Sequence, residues 1–312
     1  MFGNATAENK RIRFLPRKND RLCVGGKFNR RHGAVGPIIL RHDSASPPNV
    51  VIRLTPRPDG DPKSERALNA RKQGDSMKIY CCFTPAHEIL LRQEFLPSIP
   101  ETFSVHAESI EVAGPGDFLS PEFLQCVNQK ISLIIESLRT NLGDVIVWAD
   151  IDIRVFSLSP SKLVSELGQH DIAFQREGKQ GRYVNTGFFV CRANERVIDF
   201  FERVGGGLVQ NARANEQVVV NELLGTESTM SWTLLPLTYY ARTHGWPPPK
   251  DLALYHANAT IGPDGIAQKL RQFRDLDFLR RYPVLGLALT SIKFAPKRIK
   301  RLLNERRTVG SS

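Results

Sequence analysis

From Met77 onward the chain repeats one pattern: a short run of apolar or aromatic residues, a turn signal, then a stretch whose apolar residues recur every three to four positions. Parallel strands need a crossover between them, and the crossover is usually a helix, so this alternation implies a mainly parallel sheet covered on both faces. Lys78 to Thr84 reads as the opening strand, with Pro85 at the first turn of a helix that runs to about Leu96. Phe103 to Val112 reads as the second strand. Ser120 followed by Pro121 marks an N-cap with proline at the first helical position, and the helix it opens repeats Phe123, Val127, Ile131, Ile134 and Leu138 on one face before Asn141 and Gly143 end it. Val145 to Trp148 is a continuous buried-type strand that runs into Ala149-Asp150-Ile151-Asp152. Beyond it, Ser159-Pro160 caps a further helix, Ile172 to Phe174 and Tyr183 to Cys191 read as strands, and Asn194 starts a helix expected to stop at Gly205-Gly206-Gly207.

Charge divides the 312 residues into three parts. Residues 1–76 carry 16 Lys and Arg against 7 Asp and Glu, residues 77–265 carry 15 against 22, and residues 266–312 carry 12 against 3. The net charge of +11 therefore sits in the tails, which argues against a nucleic-acid binder that reads its target with the folded centre. Residues 1–76 are rich in Pro, Gly, Arg and Asp, with no sustained periodicity beyond PIIL and VVIRL. They are expected to be a basic, largely disordered extension; a second reading starts translation at Met77. Residues 77–265 form the expected folded domain and 266–312 a basic helical tail. The longest uncharged stretch, Ser228 to Ala241, is too short for a membrane span, and no secretory signal is visible. The cysteines include the vicinal pair Cys81 and Cys82 and form no CxxC, which fits a reducing, cytoplasmic setting.

Asp150 and Asp152 are the sharpest chemical feature. They lie two apart at the carboxyl end of a buried strand, where open α/β sheets bind ligands. Two carboxylates so placed repel each other unless a divalent cation or several donors compensate them, and a hard ion such as Mg²⁺ or Mn²⁺ accepts oxygen ligands. His256, at the end of the apolar run LALYH, adds an imidazole suited to a manganese-like ion, with Asn258 as its polar neighbour. Taken alone, Asp-x-Asp also fits two satisfied loop carboxylates, and His256 a core histidine.

The segments KIYCCFTPAHE, IVWADIDIRVF, YVNTGFFVCRAN, ANEQVVVNELL and YHANAT, in this order, resemble the nucleotide-diphospho-sugar transferases, glycosyltransferases of the GT-A fold, over roughly Met77 to Lys269. The resemblance implies a Rossmann-like α/β domain with a mixed, mainly parallel sheet. It also implies a metal held by Asp150, Asp152 and His256, and a donor sugar met by Asn185, Thr186, Gly187 and Asp171. Thr84, Asn258 and Lys269 join the substrate-binding set, Lys269 as the lysine that reaches the diphosphate. Glu216, Gln217 and Asn185 take the catalytic positions, Glu216 replacing the commoner Asp of an Asp-Gln pair. The implied reaction is a metal-dependent, retaining transfer, with Mn²⁺ or Mg²⁺, from a UDP-sugar type of donor to a carbohydrate or glycolipid acceptor.

Two other readings compete. A phosphatase of the haloacid-dehalogenase type also ends a strand with Asp-x-Asp, but it places Thr or Val where this chain has Arg154. A non-catalytic module would use the same fold as a scaffold and bind membrane or nucleic acid through its basic tails. In the C-terminal tail, Ile292, Ile299, Leu302 and Leu303 among many Lys and Arg fit either a solvated helix or peripheral contact with an anionic membrane surface.

Overall fold

The edge of the sheet comes from the N-terminal extension. In the computed structural model, which describes residues 49–53, 76–112, 121–178, 183–210, 215–226, 229–241, 247–258, 260 and 264–309, the VVIR part of that extension lies in strand β1 (Asn49–Arg53). The rest of residues 1–75, with the disorder expected of them, lies outside the described residues, as does the Ser120 cap.

Strand β2 (Met77–Phe83) leads through Pro85 into an irregular helical stretch that ends at Ser98, with α1 (Glu88–Leu90) inside it. Burial of Leu90, Leu91 and Phe95 against the sheet holds this stretch in place. There follow β3 (Phe103–Ser109), α2 (Pro121–Thr140), β4 (Val145–Ala149), β5 (Ile153–Val155), α3 (Pro160–Leu167), β6 (Ile172–Arg176) and β7 (Val184–Arg192). The Ser159 hydroxyl accepts from Lys162 N at 3.3 Å, the cap expected for α3. Next come α4 (Glu195–Gln210), α5 (Glu216–Thr226), β8 (Trp232–Leu234), β9 (Tyr239–Ala241), β10 (Leu254–His256), α6 (Gly265–Arg281) and α7 (Pro283–Val309).

The main sheet has the order β1-β3-β2-β4-β7-β6-β8, and a second sheet has the order β5-β10-β9. Strands β1, β3, β2 and β4 are parallel neighbours, with helical crossovers from β2 to β3 and from β3 to β4. Strand β7 runs antiparallel to both β4 and β6 because the link from β6 is too short for a crossover. Both faces are covered, so side chains along β7 alternate between two cores. Phe188 and Val190 pack with Leu163, Leu167 and Phe273, whereas Phe189 and Cys191 pack with Ile131, Val197 and Phe201. Full burial of side chains this size contributes about 1.5–3 kcal/mol each.

Two expected boundaries move, and the first is the strand expected over Phe103 to Val112, which ends at Ser109. Helix α4 continues through Gly205-Gly206-Gly207 to Gln210 because buried Val204 and Leu208 pin both flanks. Gly207 also lets α5 approach closely: a Cβ there would stand 2.6 Å from Val219 Cγ1.

Candidate metal and donor site

Backbone register brings the acidic pair and the histidine together. Strand β4 ends at Ala149, and Asp150 N then donates to Gly187 O on β7 at 2.7 Å. The chain turns through Asp152 into β5, which pairs antiparallel with β10 so that Ile153 faces His256. Ala257 N donates to Asp152 O at 2.9 Å, extending that ladder. As a result one ligand atom from each of Asp150, Asp152 and His256 lies within 4.8 Å of the others. Ligands about 2.1 Å from a shared Mg²⁺-like ion stand about 3–4 Å apart, so a small closure suffices for this two-carboxylate, one-imidazole set to hold Mn²⁺ or Mg²⁺.

The surroundings of His256 fit such an ion. Gln175, fully buried on β6, donates through Nε2 to Tyr239 O at 3.3 Å, so its Oε1, 2.9 Å from His256 Nδ1, accepts from the imidazole. In the neutral ring that leaves the His256 Nε2 lone pair facing Asp152 Oδ1 at 3.2 Å, two acceptors that a shared cation satisfies. Gly187 closes the floor, for a Cβ there would stand 2.2 Å from His256 Cε1 and 2.9 Å from Asp150 Oδ2.

Two lysines balance the carboxylates. Lys269 Nζ lies 2.6 Å from Asp152 Oδ2. Burial pushes the Asp152 carboxyl up, but Lys269 and, in its protonated form, His256 outweigh it and hold the group well below the usual carboxylate range. Lys130, buried on α2, reaches Asp150 Oδ1 at 2.8 Å and Glu216 Oε1 at 2.9 Å. Burial disfavours its charge, yet the two carboxylates raise its pKa, and Lys130 in turn overcomes the burial of Glu216 and lowers that group. Glu216, the first residue of α5, also accepts from Thr186 Oγ1 at 3.2 Å.

The sequence profile of the nucleotide-diphospho-sugar transferases matches residues 96–273, more than half of the chain. The chain belongs to this family. A 117-residue stretch is 26% identical to an uncharacterised protein of Arabidopsis thaliana, covering 38% of this chain and 35% of the plant protein, so the match spans about a third of that relative. Among solved structures, the chain is similar to a glycosyltransferase involved in glycosylation of the major capsid of PBCV-1, with TM-score 0.47 and 14% identity over 63% of this chain and 98% of that one. It is also similar to the apo glycosyltransferase GlyE of Streptococcus pneumoniae TIGR4, with TM-score 0.44 and 11% identity over 59% of this chain and 55% of that one. Membership in the transferase family removes the phosphatase alternative, and Arg154, at that motif's diagnostic position, is held instead by Glu94 and Asp277.

The other residues expected at a transferase site are placed as follows. Asn185 Oδ1 accepts from Gly187 N at 2.9 Å, and its Nδ2 donates to Glu177 Oε2 at 2.6 Å. Thr84 Oγ1 lies 2.8 Å from His87 Nδ1 at the end of β2. Burial lowers the His87 pKa, Lys269 lowers it further and Asp152 opposes them. Asn258 O accepts from Gln272 Nε2 at 3.1 Å, while its buried Oδ1 has no hydrogen-bond partner among the described residues. Gln217 is half-buried next to Glu216 on α5, and among the described contacts its side chain makes none to the cluster.

Asp171 lies apart from these residues. It precedes β6 at the end where Ile172 pairs with Cys191, whereas Asn185 pairs with Gln175 at the other end. Its carboxylate is committed to Ser231 N and Oγ at 2.8 Å each, Asn194 Nδ2 at 2.8 Å and the Arg196 guanidinium, so it ties β6 to α4 and β8. Burial raises its pKa, but these donors hold it well below the usual range.

Sequence reasoning did not find Lys130, Gln175, Glu177 or His87. Lys130 carried a usable signal, because it interrupts the apolar face of α2 between Val127 and Ile134. Gln175 is likewise a carboxamide inside a fully buried strand. Glu177 directly after β6 and His87 in the helical turn that follows β2 are polar residues that carry no such mark.

Proposed function

We propose that the protein is a metal-dependent glycosyltransferase that moves a sugar, with retention of configuration, from a UDP-sugar type of donor to a carbohydrate or glycolipid acceptor. The observation that carries this reading is the convergence of Asp150, Asp152 and His256, flanked by Lys269, at the carboxyl end of β4. A Mn²⁺ or Mg²⁺ ion bound by the three ligands would supply electrostatic stabilisation of the departing diphosphate. Lys269 adds a positive charge beside the same ligands and is suited to a phosphate oxygen. Asn185, anchored by Glu177, presents a carboxamide beside Gly187 for donor-sugar hydroxyls, with Thr186 between them on β7. Glu216, kept ionised by Lys130, provides a negative charge to stabilise a cationic sugar, with Gln217 beside it on α5. The orphan Asn258 Oδ1 awaits a donor such as a ligand hydroxyl.

No helix among the described residues is long and apolar enough to cross a membrane. Free thiols at Cys81, Cys82, Cys126 and Cys191 support a reducing compartment, and we place the enzyme in the cytoplasm, with residues 266–312 in peripheral contact with a membrane.

The test is a thermal-shift screen of sugar nucleotides with Mn²⁺ and Mg²⁺, followed by a turnover assay. A ligand at 100 times its Kd stabilises by about 2.7 kcal/mol, so UDP or a UDP-sugar should raise the melting temperature only when the metal is present. If no nucleotide with either metal moves it, the non-catalytic reading replaces this one.

A further inference from the structure

The C-terminal helix α7 carries an apolar stripe on the side that does not pack on the fold. It turns back on α6 at Gly286, where a Cβ would stand 2.7 Å from Leu279 Cα, and Thr290 and Phe294 line a groove against α6 on that inner side. On the outer side Val284, Leu285, Ala288, Ile292, Ala295 and Ile299 follow one another at the spacing of a single helical face. Val284 is 84% exposed, Ile292 71%, Ile299 57% and Leu285 54%, so this face is left to solvent. Large aliphatics exposed in a row signify a docking surface rather than scattered surface residues.

We infer that the outer face of α7 docks on an anionic lipid surface. Charge decides between this occupant and a second copy of the chain. Spacings of three and four would also suit a coiled-coil seam. However, residues 283–309 contain seven Lys and Arg against one Glu, so two copies would bring like charges together. An anionic bilayer gains from the same charges, at about 1 kcal/mol per basic residue near the surface, while the aliphatic stripe enters the headgroup boundary. Uncharged residues fill the start of the helix, and all its charges lie from Lys293 onward. Since α6 carries Lys269 at the candidate site and also supports α7, docking would bring that site toward the membrane and a lipid-borne acceptor. The inference deepens the glycolipid reading of the acceptor but is read out without turnover.

The experiment is flotation of the full chain with phosphatidylcholine vesicles and with vesicles containing about one third phosphatidylglycerol. Binding is expected only to the anionic vesicles, and to weaken with salt. The double variant Leu285→Ser, Ile292→Ser keeps every charge and alters two exposed positions, and should weaken binding by about tenfold or more per residue. Asp152→Asn should float like the unaltered protein, which separates this inference from the catalytic one. Absence of binding to anionic vesicles overturns the proposal. Unchanged binding of the double variant also overturns it, assigning attraction to the basic tails alone, and a concentration-dependent dimer lost in that variant assigns the face to a second copy.

Discussion

Gly187 and His256 share a space that admits no methyl group: a Cβ on Gly187 would lie 2.2 Å from the imidazole Cε1. This stretch of strand β7 is therefore matched to the histidine, and the hydrogen bond from Asp150 N to Gly187 O at 2.7 Å ties the first carboxylate to the same point.

Gly187→Ala should accordingly push the imidazole off its position beside Asp152. Loss of ligand support of this kind costs about 10–100-fold in metal affinity. Mn²⁺ titration followed by electron paramagnetic resonance checks it, and unchanged affinity would show that His256 is not a ligand.

Asp152→Asn removes the carboxylate that meets both His256 and Lys269. Metal-supported protection by UDP should disappear and turnover should fall by about two orders of magnitude or more. The variant leaves Lys269 without its partner, so circular dichroism serves as the folding control. Unaltered turnover would refute the assignment.

Lys130→Met would leave Asp150 and Glu216 without their shared cation. Breaking a buried pair from one side costs about 3–5 kcal/mol near neutral pH. The sign of the pH dependence follows from Glu216. Its pKa is lowered in the native protein, a stabilisation present above the unfolded value of about 4.3 and lost as pH falls through the folded value. Without Lys130, burial raises that pKa instead, and the variant loses stability as pH rises. Urea denaturation across pH 4–8 should thus show a deficit that widens with pH; a constant deficit would point to packing alone.

Asp171→Asn should lower stability by about 1–3 kcal/mol, since the buried acceptor serves Ser231, Asn194 and Arg196. The native carboxylate contributes above its unfolded pKa of about 3.9 and loses that contribution as pH falls through its lower folded value. Affinity for UDP with Mn²⁺ should be unchanged. A selective loss of donor affinity at full stability would return Asp171 to the sugar site.

Much of the fold was legible because it is locally encoded. Apolar runs and helical periodicity located β2, β4, β6, β7 and α2, and the pair Asp150 and Asp152 stood out because both sit in one short segment after a buried strand. The small sheet of β5, β10 and β9 was not legible as a sheet, for its three-residue strands are too short to carry a period.

What the sequence by itself determined was the alternation of strands and helices, the charge partition and the acidic pair. Tertiary structure alone decided the partners of those groups: His256 reaches Asp152 through the β5–β10 register, Lys130 joins Asp150 to Glu216, and Asp171 pairs with Arg196. The physical reason is one of range. Burial period is written in neighbouring residues, whereas a buried charge is stabilised by whichever opposite charge or donor the packed chain brings within hydrogen-bonding distance, however far away it lies in sequence.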